Sequence, residues 1–153
     1  MGGPMMIDEF LHEETDNFLY CYFQIDNIDY CSSENYFQCA KTVSIEEREL
    51  IRKSGPGLSC WEAGNKIKLR DDWEKVKVFE MYKGNKAKFE QNPELAEKLI
   101  FSKGTIGGGQ SSDFWNYWNG IILTRIRAEL RKNEEDLKVI EETTALMDKF
   151  AKE

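Results

Sequence analysis

Three clusters of carboxylates and aromatics carry most of the chemistry this sequence can offer: Ser33-Glu34-Asn35-Tyr36-Phe37-Gln38, Arg70-Asp71-Asp72-Trp73-Glu74 and Asp113-Phe114-Trp115. That inventory suits hydrolysis of a glycosidic bond. The transition state is oxocarbenium-like, so one carboxylate stabilises the positive sugar while another group directs water or protonates the leaving group. Aromatic faces stack on a heterocycle and hold it in line. Each residue also has a plainer reading. Glu34 complements the dipole of a first helical turn, Asp72 caps a long helix and Trp73 belongs to the core. Arg70 pairs with Asp71 or Asp72, and Lys41 is solvated at a helix end. Gln38 lies one turn after Glu34 and either orients that carboxylate or faces solvent.

Other chemistries find fewer parts. His12 is the only histidine and sits among Glu9, Glu13, Glu14 and Asp16, which leaves little for a Ser-His-Asp or Cys-His machine. Cys21, Cys31, Cys39 and Cys60 lack Cys-x-x-Cys spacing. With one histidine they make a poor zinc set and read as buried free thiols, so no metal and no cofactor are expected. No P-loop is present, and nothing strand-like closely precedes Gly107-Gly108-Gly109. That run reads as an ordinary turn or as a loop whose amides approach a phosphate. A net charge of -7 argues against a broad grip on duplex nucleic acid, which runs on clustered Lys and Arg. It leaves room for a nucleotide or one extruded base. No apolar run spans a bilayer and no export segment is evident, so no membrane partner is expected. Met6 stands where a myristoylation motif wants Ser or Thr. Free cysteines then point to a reducing, cytoplasmic setting.

These residues need elements to position them. A chain of 153 residues, 41% of them hydrophobic, fits one core. Residues 1–16 read as an N-terminal tail or arm and 17–153 as the domain. Aromatic and branched runs over 18–25 and 28–31, separated by Asp26-Asn27, predict a β-hairpin. A helix follows over about 34–42, and Ser44-Ile45-Glu46-Glu47 forms a capping box opening a helix to about Arg52. Ser54-Gly55-Pro56-Gly57 breaks the chain. The best helix spans about 72–89 with Val78, Met81, Tyr82 and Phe89 on one face. Asn92-Pro93 restarts helix. After a break over 104–110, Ser111 or Ser112 caps a helix carrying Ile122, Ile126 and Leu130. A last amphipathic helix begins after Asn133, with Leu137, Ile140, Thr144, Met147 and Ala151 along one stripe. The fold class is mainly α with a small β-hairpin or sheet, an α+β single domain.

In order along the chain, the clusters resemble the NADAR (YbiA-like) family. Residues 33–41, Ser-Glu-Asn-Tyr-Phe-Gln-Cys-Ala-Lys, are similar to its Glu-His-Tyr-Phe-Gln-Ala-x-Lys segment, with Asn35 in the His position. Arg70-Asp71-Asp72-Trp73 is similar to Arg-x-Asp-Trp. Met81 to Lys88-Phe89, then Asn92-Pro93-Glu94-Leu95, resembles Met…Lys-Phe…Asn-Pro-x-Leu, and Gly120 to Arg127 resembles a closing Gly…Leu-Met-x-x-Arg helix. The resemblance spans about 20–131. Three departures stand out. Gly107-Gly108-Gly109-Gln110 lacks the second Glu expected before the Asp. The Asp-x-x-Trp-Gly spacing is shortened to Asp113-Phe114-Trp115-Asn116. Leu19-Tyr20-Cys21-Tyr22 stands in place of Leu-Ser-Asn-Phe.

The resemblance implies a mainly helical YbiA-like domain and metal-free N-glycosidase activity on a ribosylated base. Glu34 and Asp113 are then the catalytic candidates. Trp73, Asp72, Arg70, Lys41, Gln38, Tyr36 and Trp115 are the substrate-binding candidates, with Lys41 and Arg70 offered to phosphate oxygens. The leading expectation is removal of ADP-ribose from guanine, engaging ADP-ribosylated DNA or RNA only locally. The alternatives are a phosphoribosylated intermediate of riboflavin biosynthesis as substrate, a non-catalytic binder of ADP-ribose, and a helical interaction module using the last helix.

Overall fold

A computed structural model describes residues 2–153. The hairpin forms where Asp26 and Asn27 take positive φ (54° and 66°), the two-residue turn whose twist suits paired strands. It joins β3 (Phe23–Ile25) to β4 (Ile28–Tyr30), with Ile25 opposite Ile28. Before it, β1 (Met5–Ile7) and β2 (Phe10–His12) pair antiparallel, and β1 also pairs with β5 (Ile106–Gly107), giving the order β2-β1-β5. The segment expected as a tail or arm is therefore built into the fold. Met5 and Ile7 are buried, and a 3-10 turn, Glu13–Thr15, comes next. β1 and β2 lack the longer aromatic and branched runs that made β3 and β4 legible around Asp26-Asn27; tertiary pairing defines them.

The described residues also form seven α-helices, α1 (Ser33–Ala40), α2 (Ile45–Arg52), α3 (Leu58–Asn65), α4 (Trp73–Gln91), α5 (Pro93–Phe101), α6 (Asp113–Arg131) and α7 (Leu137–Lys152), with a 3-10 turn, Glu134–Asp136, before the last. Ser44 and Ser112 cap their helices as expected, Ser32 does so without having been singled out, and Asn92 before α5 makes no side-chain capping bond. Ser32 Oγ accepts from the Asn35 amide, Ser44 Oγ from Glu47 and Ser112 Oγ from Trp115. Asp72 occupies the cap position of α4 but makes no capping bond. α3 was not expected from the sequence: it has eight residues and carries Gly64, which costs a helix about 1 kcal/mol relative to Ala. On α7 the buried residues are Thr143 and Met147, with Phe150 packed on the core, whereas Leu137 and Ala151 are exposed. The stripe of that helix is thus rotated from the one the sequence suggested.

α1 is the hub. All eight of its residues are buried, and it packs on α2, α3 and α4. Phe37 and Met81 anchor that core with Phe23 and Phe89, each such side chain contributing about 1.5–3 kcal/mol on burial. Two helical glycines let neighbours close up. A Cβ on Gly84 would stand 2.7 Å from Tyr36 Cδ2, and one on Gly120 would stand 2.7 Å from the Ile106 carbonyl oxygen. No helix among the described residues is long and apolar enough to cross a membrane.

Candidate active site

The residues singled out around α1 divide between its faces. Glu34, Gln38 and Lys41 recur at helical spacing on one side. Gln38 Nε2 donates to Glu34 Oε2 at 2.5 Å, and both residues are 0% exposed. Gln38 thus orients the carboxylate; it does not face solvent. Lys41 is 8% exposed, so the solvated reading of that residue fails too. Burial depresses its ammonium pKa, while Glu34 and Cys60 oppose that shift. Its Nζ lies 5.9 Å from the Phe37 ring centroid.

α3 closes this side. An added Cβ at Gly64 would fall 1.9 Å from Gln38 Oε1, so glycine is what allows the amide to lie there. Cys60 is buried nearby, its thiol pushed up to about 12 by burial and then by Glu34. Cys60 is the buried free thiol the sequence led us to expect, whereas Gly64 was not singled out there. A glycine inside a helix was the available signal, since it often marks close approach.

Tyr36 points elsewhere. Its hydroxyl donates to Glu80 Oε2 at 2.5 Å, and its ring meets Tyr30 edge-on at 5.0 Å. Its hydrogen bond and its packing on Gly84 both lie on α4, away from the Glu34 face. Asn35, in the position of the family's His, is also structural: Nδ2 donates to the carbonyls of Ile51, Arg52 and Gly55 at 3.4, 3.1 and 3.0 Å. It thereby satisfies the end of α2, and this departure leaves Glu34 untouched.

The aromatic candidates form one buried cluster. Phe37 lies 5.1 Å from Trp73 and 5.2 Å from Trp115, centroid to centroid. Trp115 meets Phe114 at 5.0 Å. Trp73 and Trp115 are therefore core walls that bring the starts of α4 and α6 to α1. Asp113 is exposed in the first turn of α6. Arg70 forks onto Asp72, with Nε to Oδ1 at 2.6 Å and Nη2 to Oδ2 at 3.1 Å. Each shifts its partner accordingly: Asp72 falls below the usual carboxylate range and Arg70 rises. A groove of about 530 Å³ beside them is lined by Thr42, Ser44, Lys68, Arg70 and Asp72 among others.

Asn17 was missed altogether. Its backbone carbonyl accepts the Glu34 amide at 2.8 Å, and its side chain accepts from Ser33 Oγ at 2.8 Å. The Asn-Phe pair Asn17-Phe18, just upstream of the stretch compared with Leu-Ser-Asn-Phe, was the signal. The triple glycine, by contrast, serves packing. Gly107 pairs with Met6, and a Cβ on Gly109 would fall 2.3 Å from Met5 Sδ. Among the described residues no three His, Cys, Asp or Glu side chains are grouped to hold a metal ion. His12 pairs with Glu14.

Comparison with known proteins adds to this geometry. The NADAR domain family model matches residues 6–106, so the match begins within β1, takes in β2 and stops before Asp113. N-glycosidase YbiA of Shigella boydii serotype 4 (strain Sb227) is 38% identical over 86 residues, 55% of this chain and 54% of that protein. N-glycosidase YbiA of Escherichia coli (strain K12) is 37% identical over the same length, with the same shares covered. Riboflavin biosynthesis protein PYRR, chloroplastic, of Zea mays is 28% identical over 120 residues, 63% of this chain and 19% of that protein. The chain spans about half the length of the YbiA relatives it matches. The NMR structure of the E. coli protein YbiA superposes with a TM-score of 0.59 at 29% identity, covering 84% of this chain and 80% of that one. That likeness agrees with the mainly helical α+β fold.

Proposed function

Because the chain belongs to the NADAR domain family, we propose that it is an N-glycosidase that hydrolyses a base–ribose bond, with ADP-ribose on guanine as its substrate. The observation that carries this reading is the Glu34 carboxylate: wholly buried in the first turn of α1, held by Gln38, with Lys41 on the same helix face. A carboxylate held in a low-dielectric site stabilises an oxocarbenium ion far better than one in water, because no solvent has to reorganise around it. Water adds to the anomeric carbon, the carbon–nitrogen bond breaks, and its electron pair goes to the base, which takes up a proton. In this scheme Glu34 faces the sugar and directs water, and Asp113 supplies the proton or a second negative charge. Lys41 is assigned to a phosphate oxygen. Arg70, already forked onto Asp72, offers a phosphate only its remaining donors. Trp73 and Trp115 shape the wall through Phe37.

A second substrate reading, a phosphoribosylated intermediate of riboflavin biosynthesis, is favoured by the similarity to the maize PYRR protein. Purified protein and Glu34→Gln would be incubated with a guanine-linked ADP-ribose oligonucleotide and, separately, with phosphoribosylated pyrimidines. Release of free base or free sugar by the wild type names the branch, and Glu34→Gln is expected to slow it by at least about 10²-fold. Turnover unchanged in Glu34→Gln overturns the assignment. ADP-ribose binding without release would instead make the chain a binding module.

A further inference from the structure

Every residue in the first turn of α1 is buried: Ser32, Ser33, Glu34 and Asn35 are each at most 1% exposed. The leading amides of a helix have no partner within it, and buried ones cannot turn to water. Ser32 Oγ takes the amide of Asn35 at 2.9 Å. The amide of Glu34 goes to another segment, to the Asn17 carbonyl at 2.8 Å. Asn17 is itself 2% exposed, and its Oδ1 is approached by two donors, Ser33 Oγ at 2.8 Å and Asn85 Nδ2 at 3.1 Å. Asn85 belongs to α4 and also donates to the Met81 carbonyl at 3.0 Å. One turn along α4, Lys88 Nζ donates to the Asp16 carbonyl at 3.0 Å, immediately before Asn17.

We propose that Asn17 is a positioning residue for the Glu34 carboxylate, joining the start of α1 to α4 so that the carboxylate is fixed from its backbone side. This rests on the reading of Glu34 as the reacting group. Gln38 holds the same carboxylate from one turn further on, so Glu34 is gripped at both ends. Asn17 does this with one side-chain oxygen and one main-chain oxygen. A hydrophobic residue at this position would leave Ser33 Oγ and Asn85 Nδ2 buried without that acceptor, a loss the fold does not absorb cheaply.

The test compares wild type, Asn17→Ala and Asn17→Asp by NMR and by turnover. Both partners of Oδ1 are donors, so the aspartate keeps the acceptor that alanine removes. Asn17→Ala is expected to speed hydrogen exchange at the Glu34 amide and to move the Glu34 carboxyl ¹³C resonance. Amides of α2 and α7 keep their protection, and Asn17→Asp restores the Glu34 amide. If Asn17→Ala does not fold, Ser33→Ala, which removes one of the two donors, is expected to shift the Glu34 signals the same way by less. An unaltered Glu34 amide and carboxyl, or equal loss of protection throughout the chain, overturns the proposal. With the guanine-linked ADP-ribose oligonucleotide, kcat should fall at least about tenfold while KM changes less than about twofold, since misplacement by even 1 Å costs far more. Unchanged kcat overturns positioning. If the wild type releases nothing from any probe, the glycosidase reading fails, and the NMR comparison decides the role of Asn17 by itself.

Discussion

Gly64 has no side chain because Gln38 occupies the space one would fill. Gly64→Ala would put a Cβ 1.9 Å from Gln38 Oε1 and 3.0 Å from Gln38 Cβ, so the amide must swing away and release Glu34. The expected cost is about 1–3 kcal/mol from overpacking. Turnover should fall by more than thermal unfolding indicates, and comparing the two measurements on one preparation checks it. Loss of stability with full turnover would show that Gln38 does not need to hold the carboxylate. At this scale the sequence was partly legible. Glu34, Gln38 and Lys41 stood out through the resemblance of residues 33–41 to the family segment, and the structure adds that they share one buried face. The roles of Trp73 and Trp115 did not, since a stacking wall and a core tryptophan have the same residue type and the same neighbours in sequence. Nor did Asn17, whose importance lies in groups 16 and 68 positions away, on Ser33 and Asn85.

The helices were legible where local rules govern them. Ser44 and Ser112 cap α2 and α6, and Val78, Met81, Tyr82 and Phe89 are buried along one face of α4. α3 and the three-stranded sheet were not legible because they exist by leaning on other elements. β5 is the clearest instance: two residues long, it lies between β1 and α6, where Gly120 admits the Ile106 carbonyl. Gly120→Ala would force that backbone oxygen from 2.7 Å, and backbone yields less easily than a side-chain tip. A loss of about 1–3 kcal/mol is expected, seen in thermal denaturation as roughly 2–4 °C for each kcal/mol in a chain of this size. Because Met6 pairs with Gly107, exchange at the β1 amides should rise with it. Protection in β1 unchanged by the substitution would mean that α6 does not support the sheet.

For the molecule as a whole, Lys88 ties the N-terminal segment to α4 from a position with no exposure. Burial pulls its pKa from 10.5 down to about 8, with Cys21, Asp16 and Glu14 acting the other way. The folded state therefore gives up this proton first. Between about 8 and 10.5 the unfolded chain binds more protons, so this lysine makes stability rise with pH across that window. Urea unfolding of wild type and Lys88→Met at several pH values reads this effect together with that of Cys21, whose thiol is raised by burial and loses the opposing pull of Lys88 in the variant, a change of the same sign. The buried thiols Cys39 and Cys60, raised by burial from 9 to about 12, act in the opposite sense above pH 9 but are common to both proteins. The difference should move toward the wild type as pH rises from about 8 to 10.5, and a pH-independent difference would contradict it.

Complete burial of Glu34 and Gln38 also has a kinetic consequence. A carboxylate that water cannot touch is beyond the reach of any larger molecule, so the proposed role of Glu34 requires a conformation more open than the one described. On that proposal, engagement of Glu34 waits on a rarer open population, and the apparent affinity is weakened by the fraction of molecules that are open. In stopped-flow mixing, the observed rate should level off as ligand concentration rises, at a ceiling set by the protein's own opening and not by diffusion.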